Sequence, residues 1–210
     1  ITVFSDEWHS KGDIVKSRLT HILNGTQRRI GARQLTIKEI SYSEASHFLS
    51  ENHIQGSDRS KIRIGGFFNE ELVTVMTFKP TNFSKGGDGS QMELSRFAVK
   101  CFTTIAGAAN RLLSHFRKNY EFTEIISYAD SRWSAGHLYK SLGFEFVSTT
   151  PPSPWYVDKY YLKRIHRAAF MKHKLDEKYG MSDEKTAERI KKLGFDVVWD
   201  CGNTKWILKK

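Results

Sequence analysis

Three features of the sequence predict a mixed α/β domain. From Leu35 onward, strand-like and helix-like segments follow in the order strand, helix, three strands, helix, strand, helix, strand. That order implies a mixed sheet with helices on both sides. "KIRIGGFFNEELVTVMTFKP" holds two β-rich runs joined around Asn69-Glu70-Glu71, which marks a hairpin. "EIISYAD" is a nearly continuous apolar run, the pattern of a strand covered on both faces.

The elements are read in chain order. "ITVF" reads as a strand end, and "SDEWHSKGDIVKSRLTHIL" as a helix or helix pair, with Ile14, Val15, Arg18, Leu19 and Ile22 at helical spacing. "NGTQRRIGAR" reads as a basic, glycine-punctuated linker. "LTIKEIS" is a short alternating strand, and Ser43 can cap the helix "EASHFLSEN". After the hairpin, "TNFSKGGDGS" is a loop and "MELSRFAVK" the next strand. "TTIAGAANRLLSHFRKNY" opens with small residues and becomes an amphipathic helix, whose apolar face carries Leu112, Leu113 and Phe116. "SAGHLYKSLGF" is a helix closed by Gly143, a residue suited to a left-handed cap. "EFVSTT" is another strand and "PPSPWYV" a proline-rigid turn. "KYYLKRIHRAAFMKHKLDEKYG" reads as a strongly basic helix. "MSDEKTAERIKKLGF" is a second one, with Ser182 as its cap and Gly194 at its end. "DVVWDCGNTKWILKK" reads as a small hairpin turning at Gly202-Asn203.

Composition narrows the class. The chain has 210 residues, 39% hydrophobic and 27% charged, enough for one large domain or a domain with appendages. Its formal net charge of +10 favours nucleic acid or another polyanion as partner. Cys101 and Cys201 lie far apart with no paired ligands nearby, so a disulfide scaffold or zinc knuckle is not expected and a reducing, cytoplasmic compartment is. No apolar run approaches the roughly 20 residues that span a bilayer. No signal peptide precedes the first strand-like segment, and the chain opens with Ile1 inside an apolar run, as a fragment or processed piece would.

From Leu35 to Thr150 the element order resembles the GNAT acyltransferase fold. Three stretches carry the likeness: the hairpin "RIGGFFNEELVTVMTFKP", the turn-plus-helix "TTIAGAANRLLSHF", and "SAGHLYKSLGF", written in that family as small residues, then Tyr, then Gly-Phe. Within that class, "FLSENHIQGS", "ELSRFAV", "SYADSRWSAGHLYKSLGF" and the following "WY" look like phage Mom-type DNA-modification proteins. The same string resembles the C-terminal region of phage Hef-like homing endonucleases, a likeness that runs over the whole chain. "FSDEWHSKGDIVKSRL" resembles the tail of a Vsr-like nuclease domain, and "VVWDCGNTKW" those proteins' final segment. The resemblance implies three parts: a nuclease-like remnant and linker over 1–34, a GNAT-like domain over 35–158, and a basic helical extension with a terminal hairpin over 159–210. Asp6 and Glu7 alone offer too few ligands for metal-assisted cleavage, so no nuclease site or metal is expected, and a solvated helix N-terminus suits the pair.

The chemistry-bearing residues fall into three sets. His53, at a helix end beside a glycine turn, has an ordinary pKa suited to a general base or can serve as a cap. Alternation along "ELSRF" sends Glu93 and Ser95 to one face and Leu94 and Arg96 to the other. Glu93 or Arg96 then lines a cleft or binds an anion, or the charges join in a salt bridge. Asp130 stands at the carboxyl end of a central strand, where ligands collect in open α/β sheets; it can act as a base or organise the turn. The resemblance places Tyr139 where many GNAT enzymes protonate the leaving thiolate; otherwise it is a core aromatic. Thr104, Ala106, Gly107 and Ala108 stand at the family's cofactor turn, where a helix N-terminus with small residues suits the diphosphate of acyl-CoA. Lys159, Lys163, Arg164, Arg167, Lys172 and Lys174 come with no acidic residue among them, interleaved with aromatics, and suit phosphate binding. The expected activity is therefore action on DNA, as a Mom-like transferase on a base or as the DNA-engaging region of a Hef-like endonuclease. The alternative is an ordinary acyl-CoA-dependent N-acetyltransferase on a small amine or a protein.

Overall fold

In the computed structural model of the chain, all residues are described except 27, 82–89, 159, 161 and 162. A seven-stranded mixed sheet carries the fold. Its strands are β2 (Thr36–Glu39), β3 (Ile62–Phe68), β4 (Glu71–Pro80), β5 (Met92–Val99), β7 (Glu124–Asp130), β8 (Glu145–Thr149) and β12 (Asn203–Lys209). They lie in the order β2-β3-β4-β5-β7-β12-β8. Helix α3 (Tyr42–Asn52) covers one face and α4 (Ala108–Asn119) the other, with the short α5 (His137–Ser141) beside α4. This is the GNAT-like mixed α/β arrangement that the element order predicts.

Local chemistry explains the best-formed pieces. The β3–β4 turn places Asn69 and Glu70 at φ of 48° and 66°, the left-handed pair that matches strand twist in a two-residue hairpin. Helix α3 begins two residues earlier than expected. Ser41, not Ser43, is its cap: its hydroxyl accepts from Glu44 N–H, and the Glu44 carboxylate accepts from Ser41 N–H. Leu112, Leu113 and Phe116 of α4 are fully buried against the sheet, where Phe116 stacks on Phe78 with centroids 3.8 Å apart. Truncating such a ring to alanine costs about 3–5 kcal/mol.

Several expected elements differ. "ITVF" forms no strand; Phe4 precedes α1 (Ser5–Ser10), which is followed by α2 (Gly12–Ile22). The expected linker contains β1 (Arg28–Gly31), paired in parallel with β6 (Thr103–Ala106). The expected terminal hairpin is split. Its first half, β11 (Phe195–Trp199), pairs with β9 (Pro154–Asp158), while β12 lies between β7 and β8. Gly202 makes the parting possible: it sits at φ 70°, and a Cβ there would collide with the Thr150 carbonyl. The "proline-rigid turn" is largely β9 itself, with Pro154 at the first strand position, where a missing N–H is tolerated.

The long basic helix is also overturned. Among the described residues of this segment, only Lys172–Tyr179 is α-helical (α6); Arg164–His166 form strand β10 against β9, and Arg167–Phe170 a 3-10 turn. Tertiary packing outweighs the helical spacing here. Ile165 and Phe170 pack with Tyr156, Leu175, Ile190 and Phe195 into a small separate core, and Arg164 is drawn into ion pairs described below. Helix α7 (Thr186–Lys192) completes this lobe; it starts after Ser182, whose hydroxyl instead accepts from Glu184 N–H, and ends before Gly194 at φ 82°. Buried Arg189 ties α7 to α6 through Asp176 at 2.5 Å and Leu175 O at 2.8 Å. Among the described residues, no helix is long and apolar enough to cross a membrane.

Candidate active site

The site forms where the sheet opens. Strands β5 and β7 run parallel and pair only through Met92–Ile125 and Glu93–Ile126, so beyond that point they part. A bulge sits beside the opening. Thr77 pairs with Arg96 and Phe78 with Leu94, leaving Ser95 as the extra residue. The bulge reverses the alternation that the sequence pattern implies. Leu94 and Phe97 both pack against the α4-side core, so Glu93 and Arg96 share the α3 side.

Arg96 is the centre of that side. Its Nε donates to Gly56 O at 3.3 Å and its Nη1 to Ser95 O at 2.7 Å. Desolvation lowers its pKa, and Asp58, Glu93 and Tyr139 offset part of that effect. His53 is the C-terminal cap residue of α3; its backbone N–H donates to Leu49 O. The residue keeps some exposed surface, but its ring is deeply set, and its pKa is pushed down to about 3 by desolvation and then by the charges of Arg96 and Lys11. His53 Nδ1 accepts from Gln55 N–H at 3.2 Å, so the ring proton of the neutral tautomer rests on Nε2.

Asp58 completes the cluster. Its carboxylate accepts from Ser60 Oγ at 2.6 Å and from Thr77 Oγ1 at 3.4 Å. Burial raises its pKa, but these partners, Ser95 and the Arg96 charge hold it below the usual range. The Ser95 hydroxyl stands near this carboxylate without the geometry of a hydrogen bond and is a buried, unpartnered group. Glu93 is engaged with Lys79 at 3.0 Å.

Tyr139 enters the opening from α5. Its hydroxyl lies 3.0 Å from Ser127 Oγ and donates to Tyr128 O at 3.4 Å. Ser127 Oγ also lies 2.9 Å from Leu94 O, so the serine bridges the parted strands. The Tyr139 ring stacks on Trp206 of β12 with centroids 5.8 Å apart. Burial raises its pKa, against smaller opposing effects of Ser127 and Arg96, so the phenol keeps its proton at neutral pH. Gly136 lets α5 approach this closely: it sits at φ 82°, and a Cβ there would overlap the Trp206 ring. Tyr128 projects to the other face and is 42% exposed at the rim.

Thus His53, Arg96, Glu93 and Tyr139 come together, while Asp130 goes elsewhere. Its carboxylate pairs with Arg132 at 2.8 Å, and Arg132 pairs with Glu7 through hydrogen bonds of 2.9 and 3.1 Å. Arg164 joins from β10, 2.7 Å from Glu7 and 2.9 Å from Asp6. The expectation that Asp6 and Glu7 are a solvated helix start is therefore corrected: Glu7 is buried, because two guanidiniums converge on it. Sequence reading missed Lys11 and Asp58, which lie in segments with no motif; only the charge and glycine content around "NHIQGSD" hints at the latter.

The turn into α4 can hold an anionic group such as a cofactor diphosphate. Ala106 and Gly107 are exposed, Gly107 sits at φ 83°, and Ala108 begins a 12-residue helix whose first N–H groups face that end. The Thr104 hydroxyl is turned to His21 Nδ1 at 3.2 Å. Among the described residues, no group of three or more His, Cys, Asp or Glu could hold a metal. Of the basic residues expected to meet phosphates, Lys163, Arg167, Lys172 and Lys174 are exposed. Arg164 is committed to Asp6 and Glu7, and Lys159 lies outside the described residues.

The profile of the Mom protein family matches residues 34–197. No curated protein matches the chain. Among solved structures, a GNAT family acetyltransferase from Elizabethkingia anophelis with acetyl-CoA bound is 12% identical, with 84% of this chain and 99% of that one covered and a TM-score of 0.44. A Bacillus subtilis acetyltransferase in complex with CoA is 14% identical over the same shares, with a TM-score of 0.45. An IAA acetyltransferase from Bacillus cereus is 13% identical over the same shares, with a TM-score of 0.46. The strand order, rather than these distant likenesses, carries the fold.

Proposed function

The chain belongs to the Mom protein family, and from that premise we propose that it transfers a small group to a base of DNA at the opening between β5 and β7. One observation supports the reading: the Tyr139 hydroxyl, beside Ser127 where the strands part, lies within electrostatic reach of Arg96, whose charge also acts on His53 and Asp58. Tyr139 is the proton donor to the leaving group, because burial keeps its phenol protonated. His53 is neutral and weakly basic among cations, so its role is to orient substrate through Nε2–H rather than to carry a proton away. Arg96 holds negative charge on a substrate or developing in the transition state. Ala106, Gly107 and Ala108 would hold an acyl-CoA donor by their backbone, and that cofactor would supply a carbonyl activated as a thioester.

DNA reaches the cleft through the lobe formed by β9–β11 with α6 and α7, whose exposed Lys163, Arg167, Lys172 and Lys174 neutralise phosphates. Its separate core around Phe170, Leu175 and Ile190 favours a second reading, in which this lobe engages DNA for a Hef-like endonuclease and the cleft does no transfer. Mass spectrometry of nucleosides from DNA co-expressed with the protein separates the two. A new modified nucleoside supports transfer, and an unchanged profile leaves only the DNA-engaging role.

A further inference from the structure

Two cations bear on the His53 ring, Arg96 and Lys11, and the second of them comes from the N-terminal helix pair. Lys11, at the junction of α1 and α2, donates from Nζ to Ile54 O and has no carboxylate within salt-bridge distance among the described residues. Arg96 makes two hydrogen bonds, both to carbonyls, and likewise no ion pair with a described residue. The neighbouring carboxylates are committed to other partners: Asp58 to Ser60 and Thr77, Glu93 to Lys79, Glu7 to Arg132 and Arg164. Both cations bear on the same turn. Arg96 grips Gly56 O, and a Cβ at Gly56 (φ 67°) would lie 3.6 Å from Lys11 Nζ. Each cation also feels a carboxylate, Lys11 that of Glu7 and Arg96 those of Asp58 and Glu93, yet none of these lies within salt-bridge distance, so N–H groups of both cations stay available to an anion at this turn.

We propose that Lys11 and Arg96 form an oxyanion-binding site over the His53–Gly56 turn, which takes a carboxylate or phosphate group of a substrate. The site's existence is independent of the transfer reading; its use in orienting a substrate for transfer rests on that reading. Lys11 also gives the N-terminal helices a role: they complete the cleft rather than merely precede it.

The test is an NMR titration of the full chain at neutral pH and constant ionic strength, with inorganic phosphate and acetate as separate probes. The signals followed are the Arg96 Nε–H and the backbone amides of residues 54–57. The expected result is saturable movement of these signals by one probe. Lys11→Gln should weaken it roughly tenfold, as loss of a charge-assisted hydrogen bond implies, and Lys11→Arg should keep it. A response to phosphate over acetate assigns the group to a nucleotide or phosphorylated donor; the reverse assigns it to a carboxylate. No movement with either probe, or equal movement in wild type and Lys11→Gln (general attraction to a basic protein, an adventitious ion only), overturns the site. If the response is present but DNA stays unmodified, the site stands and the transfer reading fails.

Discussion

Glu7 and Arg132 are 125 residues apart in sequence and meet in two hydrogen bonds, from Arg132 Nη1 to Glu7 Oε2 and from Nη2 to Oε1, with both side chains more than nine-tenths buried. The pair fixes the first helix to the mouth of β7, and Arg164 extends the contact to the lobe that contains β10. Replacing Glu7 by Gln leaves two guanidiniums without their shared anion, and the expected loss is about 3–5 kcal/mol in urea unfolding. The pair also sets an acid limit. Burial alone would raise the Glu7 pKa, but the two arginines bring it below the ordinary value, so its stabilisation is present above pH 4.5 and fades as pH falls below that.

Gly136 is the tightest point behind the site. Its positive φ and its contact with the Trp206 ring leave no place for a methyl group. Gly136→Ala should cost about 2–4 kcal/mol and move α5, so thermal unfolding and activity should fall together. An unchanged melting temperature would contradict the packing described for Tyr139 and Trp206.

His53 makes stability depend on pH in the weakly acid range. The unfolded chain binds a proton at the ordinary histidine pKa, while the folded ring resists it until about pH 3. Its contribution is therefore complete above pH 6.5 and declines as pH falls toward 3. Urea midpoints at pH 7 and pH 5 should differ more for the wild type than for His53→Gln.

The basic lobe should act through phosphate. Lys172→Glu combined with Lys174→Glu is expected to weaken duplex binding across sequences alike and to reduce the salt slope by about 2. Fluorescence anisotropy over a salt series reads both. Binding that ignores salt would remove the lobe from the account of DNA contact.

The sequence made the alternation of strands and helices readable, because most segments follow a single period and end at turn residues such as Gly143, found at φ 84°. It also brought out His53, Arg96, Glu93 and Tyr139, which the fold gathers. The rest depends on contacts between distant segments. The bulge at Ser95 changes which face Arg96 occupies, and nothing in "ELSRF" marks it, because a bulge is set by the partner strand. Strand β12 joins β7 across more than 70 residues, so its adjacency to the glycine turn suggested a local hairpin instead. Arg164 has helical spacing from its neighbours, yet its carboxylate partners lie at the other end of the chain. Asp130 was placed correctly at a strand end, where Arg132, two residues on, takes its charge.

The most direct measurement compares nucleosides from DNA co-expressed with the wild type and with Tyr139→Phe. The phenylalanine keeps the ring against Trp206 and removes only the hydroxyl beside Ser127. Group transfer at this cleft predicts a modified nucleoside with the wild type and a yield lowered at least about 100-fold with the variant, at an unchanged melting temperature. Unmodified DNA in both, or equal modification in both, would contradict it.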